Sequence, residues 1–443
     1  MRNQDESYSG STLNRVIFIL IIGAIGLSLL FYLLPFRFFQ KPLEPIQKVY
    51  YADNISAAHQ LMINAFNEKY KGEIEVIPIN LPFTKFTTNE RKELIARSLR
   101  SKNSRIDVFA VDQIWVPRFA RWALPLNEYF NDLTVQGIKK EIISTCYYDQ
   151  KLVALPLYMD VGVLYFRHDL LSNLPEYETI VSKLKRSISW KELNQIRDNY
   201  FADEEFYLFQ ADNYEGLICN YLEFLSNHNG VLAENGHFTI NTPEAQLVCK
   251  EMKDLIYESK MSPSEVLTFN ENESYAYSIE NDVPFFRAWP SMIVNTEIIP
   301  ATQINKLMFL DIASLPHEEG QNPKTVFGGW NLMISQDTEN KDAAVKFIDF
   351  CLSHDIQKLM FEIGGYLPVL QSVYADSNTV MNFERLKYLE TLIPNGIHRP
   401  QHPDYTRVSD ILSLALNRIL ANEVTIEEGL SKAEKDIHAI VSD

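Results

Sequence analysis

Cysteine is scarce and scattered. Cys146, Cys219, Cys249 and Cys351 are the four in 443 residues, with no CxxC pair and no Cys/His cluster. This spacing argues against a zinc module. Three disulfide pairings are open on paper, but the apolar neighbours of Cys219, Cys249 and Cys351 point to buried free thiols. Basic charge is also in deficit, 41 Lys and Arg against 58 Asp and Glu for a net −17. That balance argues against non-specific nucleic-acid binding, which needs basic patches, and keeps a surface soluble and weakly repelled by anionic lipid. The phosphate loop GxxxxGK[ST], the elbow GxSxG and the zinc motif HExxH are missing, and with them the common NTPase, hydrolase and metalloprotease signatures. The nine histidines stand singly. Whether two carboxylates pair for glycoside chemistry is a matter of separation in space, so the sequence gives an enzyme no positive support and calls for no cofactor or metal. There is no low-complexity tract and no obvious repeat, and the length favours two domains of ordinary size.

One long charge-free run is present. Val16–Phe36, VIFILIIGAIGLSLLFYLLPF, holds 21 residues without a charge. As a helix it would reach about 31 Å, one hydrocarbon core. Arg37-Phe38-Phe39-Gln40-Lys41 follows where a cleaved leader would need small residues, and the first cysteine, Cys146, is too remote for lipidation. The run therefore reads as an uncleaved anchor. Pro42 and Pro45 make the stretch to Lys48 a stiff, extended spacer. Arg2 and Arg15 precede the span; Arg37, Lys41 and Lys48 follow it. By charge alone the balance leans slightly toward a cytoplasmic C-terminal part.

Beyond the spacer, apolar strands alternate with amphipathic helices. Val49–Ala52, Glu73–Leu81 and Asp107–Asp112 read as strands. Helices fall after Ser56, over Glu90–Ser101 and from Trp115 to Ala123. This alternation predicts parallel βαβ units, whose ligands collect beyond the carboxyl ends of the strands. The rule singles out the loops Asp53–Ser56, Pro82–Thr84 and Asp112–Trp115. Near the C-terminus, Ala344, Phe347, Ile348 and Cys351 lie on one face of a helix. Before them come the paired glycines Gly328-Gly329, which bring backbone close to a neighbour, then the large flat ring of Trp330, and an apolar run Leu332–Ile334 read as a strand. Gly364-Gly365 stops a second helix, and Tyr366 sits in a loop fixed by Pro368.

The run VFGGWNLMISQDTENKDAAVKFIDFCLSHDIQKLMFEIGGYLPVL, Val326–Leu370, resembles the C-terminal signature of the extracellular solute-binding proteins of carbohydrate ABC importers, of the maltose- and trehalose-binding type. Asp107–Trp115 is similar to that family's D-V-x-x-x-D-x-x-W. Tyr148–Arg167 resembles its Y-D-G-K-x-Y-A-L-P strand and the crossing after it, with Gln150 in place of the usual turn glycine and Val153 in place of the tyrosine. Gln150 must therefore avoid a left-handed backbone or strain it. Asn281–Met292 and Arg399–Tyr405 resemble the tryptophan-proline segment and the R-P-x-x-P-x-Y motif.

The resemblance covers roughly residues 49–440 and implies a type II periplasmic-binding fold, two discontinuous α/β lobes joined by hinge crossings, behind one N-terminal transmembrane helix. The expected division is a tail at 1–15, the anchor at 16–36, a linker at 37–48, one lobe from 49–157 and 316–352, and a second from 158–315 and 353–443. The implied ligand residues are Asp112, Trp115, Tyr158, Asp160, Trp289, Gly328, Gly329, Trp330, Tyr366 and Arg399. Asp112 and Asp160 would accept hydroxyl hydrogen bonds, the rings of Trp289, Trp330 and Tyr366 would stack on sugar faces, and the glycines would admit a backbone amide. The implied function is binding a sugar or oligosaccharide and delivering it to ABC permease subunits by hinge closure, with the soluble part outside a cell membrane spanned once. Two alternatives stay open on the sequence: a membrane-tethered ligand sensor or adaptor of the same fold, and a binding protein for a non-sugar organic cation held by an acidic, aromatic cleft.

Overall fold

The computed structural model describes residues 9–33, 45–101, 105–202, 204–234 and 236–441. Met1–Ile46 and Gln47–Asp443 are separate compact units. In the first, Ser9–Leu33 is one continuous α-helix, and its stretch Thr12–Leu30 is long and apolar enough to cross a membrane. The first eight residues of the expected tail, the last residues of the expected span and most of the spacer lie outside the described residues.

The second unit is built on two sheets. The larger has six strands, in the order Gly396–Ile397, Thr325–Ile334, Val108–Asp112, Gln47–Asp53 and Ile74–Asn80, with Leu155–Val161 also paired to Thr325–Ile334. Gln47–Asp53 runs parallel to both Ile74–Asn80 and Val108–Asp112, as the βαβ reading requires. Thr325–Ile334 is antiparallel to Val108–Asp112 and to Leu155–Val161. The smaller sheet orders Leu310–Ala313, Val163–Arg167, Phe285–Ala288 and Tyr207–Leu208. The chain changes sheet at Gly162, a few residues past the expected lobe boundary at 157–158, and returns through 314–324. The change of lobe expected near Ser353 is not seen at the next helix. His354–Gly364 packs on Ala57–Lys69, which flanks the larger sheet.

Every residue of Thr325–Ile334 is buried, because this strand is covered on both faces, and such strands read as unbroken apolar runs rather than alternations. Phe347, on the predicted face of the helix Lys341–Cys351, meets Tyr51 and Phe66 with ring centres 5.2 Å away in each case. The strand is longer than the run Leu332–Ile334 suggested, and Gly328 and Gly329 lie in its middle. All four cysteines are free and buried.

The hairpin at Tyr147–Leu152 settles the question raised by Gln150. Tyr148 pairs with Lys151 across a two-residue turn, and both turn residues are left-handed, Asp149 at φ 47° and Gln150 at φ 62°. Tight hairpins favour that geometry because its twist matches the strands, and glycine suits it best. A side chain there costs about 1–2 kcal/mol. Gln150→Gly is therefore expected to stabilise the fold by roughly 1 kcal/mol, read as a higher midpoint in urea with an unchanged slope.

Candidate functional site

The three loops singled out by the strand rule converge. Ser56 caps Ala57–Lys69 and its hydroxyl meets His59 Nδ1 at 2.8 Å. The Leu81 amide donates to the Asp53 carbonyl at 2.8 Å. Phe83 and Trp115 both set their rings edge-on to Trp330, at 5.8 and 5.4 Å. Trp330 itself pairs with Asp112 on one side and with Tyr158 on the other, at a register shift that follows it in the strand.

Sequence reasoning missed the group at the centre of these loops, Arg91. It is fully buried on the helix Thr88–Arg100, whose start is fixed by a reciprocal Thr87–Glu90 cap. Its guanidinium carbon lies 4.1 Å from the Phe83 ring centre and 4.2 Å from that of Trp330. One nitrogen donates to Asp53 Oδ1 at 3.0 Å; Nε and Nη1 have no partner. Asp53 also accepts from the Tyr51 hydroxyl at 2.5 Å. Burial, more than any charge, lowers the proton affinity of the adjacent His59, so the cluster is a matched Arg–Asp pair beside a neutral imidazole. A signal was present: Arg91 stands four residues before Ile95 and eight before Leu99, on the buried stripe of its helix.

The register of Thr325–Ile334 against Leu155–Val161 sets the next group. Gly328 faces Asp160, Gly329 faces Met159 and Trp330 faces Tyr158. Gly329 has φ 133°, and a Cβ there would lie 2.6 Å from the Tyr158 carbonyl oxygen. At Gly328 a Cβ would lie 3.0 Å from the Trp289 ring and 3.2 Å from Asp160 Cβ, so this glycine admits an indole. Trp289 follows directly on the smaller sheet's strand Phe285–Ala288. The predicted pair Trp289 and Trp330 thus meets one and the same strand, from the two sheets. Trp289 is half-buried; its Nε1 donates to Glu271 at 3.0 Å, and the Arg287 guanidinium sits 4.0 Å over the ring. Arg287 is held by two hydrogen bonds to Glu223, at 2.8 and 3.1 Å.

Tyr366 comes to the same place because the left-handed Gly365 ends the helix His354–Gly364 and the following loop hydrogen-bonds along Leu155–Val161, Met159 amide to Leu367 carbonyl at 3.1 Å. Its ring lies 4.3 Å from that of Tyr158. Burial pushes the Tyr366 phenol up to about 12, and Asp53 and Asp160 push in the same direction. Asp160 is enclosed, and its Oδ1 has no hydrogen-bond partner. Burial drives its proton affinity well above the usual carboxylate range, against the opposing pull of Arg287 and Arg385.

Asp112 and Arg399, both expected at the ligand, are spent on each other. Arg399 donates to Asp112 Oδ1 at 2.7 Å and Oδ2 at 3.2 Å, and to Glu215 at 3.0 Å. Glu215 also accepts from Tyr405 at 3.0 Å and from Ser409. Asp112 further caps the Ile114 amide at 3.2 Å. Trp115 is packed against Phe119 as well as Trp330. The structure therefore gathers Tyr158, Asp160, Trp289, Gly328, Gly329 and Tyr366, with Arg91 added. Asp112 and Arg399 form a separate buried ion cluster, and Trp115 and Trp330 lie enclosed behind Arg91.

The profile of the family "Bacterial extracellular solute-binding protein" matches residues 51–358. A "Probable ABC transporter-binding protein" of Deinococcus radiodurans is 26% identical over 352 residues, covering 76% of this chain and 80% of that protein. Among solved structures, the maltose-bound MalE3 of T. maritima superposes with a TM-score of 0.76 at 24% identity, over 89% of this chain and 99% of its own. An ABC transporter solute-binding protein of Thermotoga lettingae, bound to α-D-tagatose, gives 0.75 at 22%, over 90% and 100%. The fold shared with these structures is the type II periplasmic-binding fold. With its profile match spanning most of the chain, the protein belongs to the bacterial extracellular solute-binding proteins.

Proposed function

We propose that this chain is the membrane-anchored receptor of an ABC importer and that a sugar or oligosaccharide binds between its two sheets. The observation that carries the reading is Asp160, an enclosed carboxylate with a partnerless oxygen, lying beside the half-buried ring of Trp289 where the two sheets meet. A carboxylate accepts hydroxyl hydrogen bonds, and an indole offers a flat apolar face at low entropic cost. Arg91 Nε and Nη1 supply further donors. Tyr158 and Tyr366 set their rings 4.3 Å apart, both edge-on to His59, and Gly328 leaves room for the Trp289 ring. We assign Asp112, Arg399, Trp115 and Trp330 to positioning rather than contact. The maltose and tagatose bound to the two similar structures support the ligand class.

In this reading each sheet is the core of one lobe, with hinges at Gly162 and in 314–324, and the arrangement described is the closed one. Ligand enters when the lobes part and shifts the equilibrium only through contacts made to both. The helix Ser9–Leu33 would hold the receptor on the outer face of the membrane, near its permease. The arginines Arg287 and Arg385, whose charges both reach Asp160, weigh against an organic cation. Titration calorimetry with mono- and oligosaccharides tests the proposal: micromolar binding, about −8 kcal/mol, is expected, nearly unchanged by salt because a neutral ligand is not screened. Trp289→Ala is expected to weaken it 10-fold or more. A folded protein that answers no sugar overturns the reading, and a cation bound in a salt-sensitive way replaces it. A tethered sensor would show the same binding without association with importer permease subunits.

A further inference from the structure

Away from the cleft, three metal-ligating side chains converge from three different elements. His228 caps the C-terminus of the helix Glu215–Asn227. Glu251 lies on the helix Pro243–Tyr257. Glu318 lies in the 314–324 segment that returns the chain from the smaller sheet to the larger. One ligand atom from each falls within 4.8 Å of the other two, and all three residues are half-buried. His228 Nε2 meets Glu251 at 2.7 Å.

The charge around them is not balanced. Among the described residues Glu251 has no ion pair but His228, and Glu318 has none. The nearby lysines go elsewhere, Lys250 to Asp254 at 2.9 Å and Lys191 to Glu319 at 3.0 Å. The helix that ends at His228 adds its negative end, where free carbonyl groups favour a cation. One imidazole and two carboxylates make a nitrogen–oxygen donor set of the kind that suits zinc and similar divalent ions. Zinc bonds of about 2.0–2.2 Å put tetrahedral donors roughly 3.4 Å apart, which side-chain rotation reaches from the spacing seen.

We propose that His228, Glu251 and Glu318 form a divalent-metal site of the zinc class, with a water molecule completing the shell. Its place in the fold gives it a consequence. Glu318 is on the segment linking the two sheets, whereas His228 and Glu251 are on helices, so a bound ion ties that link down. None of the three is hydrogen-bonded or ion-paired to a residue of the sugar contacts proposed above, and the proposal does not depend on them.

The test uses the full chain in detergent, stripped with chelator and then given zinc chloride alone. One zinc per chain after dialysis is expected, with a Tm raised by at least 2 °C and amide-exchange protection gained at 317–322. Glu318→Gln, a half-exposed loop position, and His228→Ala are each expected to weaken zinc binding at least 10-fold and to abolish the protection. Sugar titration of the same variants is expected to match the parent. No stoichiometric zinc, or zinc binding unchanged in the folded Glu318→Gln variant, overturns the proposal.

Discussion

Asp160→Asn is expected to lower sugar affinity by roughly 10- to 100-fold, the range for losing hydrogen bonds to a charged acceptor, while raising the Tm of the ligand-free protein. The two effects have one cause. The enclosed carboxylate holds its proton well above the usual range, so its ionised form is disfavoured in the folded state. A folded pKa above the unfolded value, near 4, means that the native state binds more protons than the unfolded one in between. Stability is then fully present below the unfolded pKa and is lost as pH rises through the folded one. Asparagine removes that loss, so the gain in Tm grows with pH. Ligand affinity has the opposite slope: a hydroxyl donated to the ionised acid releases a proton on binding, so affinity rises with pH up to the ligand-free pKa and then levels. Calorimetry in two buffers of different ionisation enthalpy reads the released proton directly. An Asp160→Asn protein with parental affinity and no change in Tm would place the acid outside the site.

Arg399→Met is expected to cost about 3–5 kcal/mol, because it strands Asp112 and Glu215 as buried carboxylates with no cation. The corresponding fall in Tm is roughly 4–6 °C for a unit of this size. Glu215 already has a raised proton affinity, from burial first, with Arg399 opposing. Without the arginine Glu215 shifts further upward. The sign follows as for Asp160: the deficit is largest at neutral pH and shrinks as pH falls toward 4. Adding Asp112→Asn and Glu215→Gln is expected to return much of the loss, since neutral amides avoid the stranded charge. If Arg399 instead contacted ligand and left stability alone, the single variant would lose affinity at an unchanged Tm.

Much of the fold was legible because it rests on local chemistry. The parallel strands Gln47–Asp53, Ile74–Asn80 and Val108–Asp112 and their helices announce themselves through apolar spacing, and Ser56 stands where a cap was expected. The convergence of three loops followed from strand direction alone. Gly328-Gly329 announced a close approach but not its partners. Here their missing side chains let the Tyr158 carbonyl and the Trp289 ring approach a strand that never turns. Arg91 was passed over because a basic residue in a polar run reads as a solvated helix face, although its place on the Ile95–Leu99 stripe contradicts that.

The sequence by itself determined where strands and helices begin, that an apolar helix precedes the soluble part, and that aromatic and acidic residues gather near strand ends. Those are set by neighbours within a turn or two. Only the tertiary structure decided which acid is spent and which is spared. Asp112 finds its arginine 287 residues away, whereas Asp160 keeps a partnerless oxygen beside an indole from the other sheet. Both are aspartates at strand ends, and nothing within a few residues of either distinguishes a charge that folding neutralises from one that it leaves for a guest.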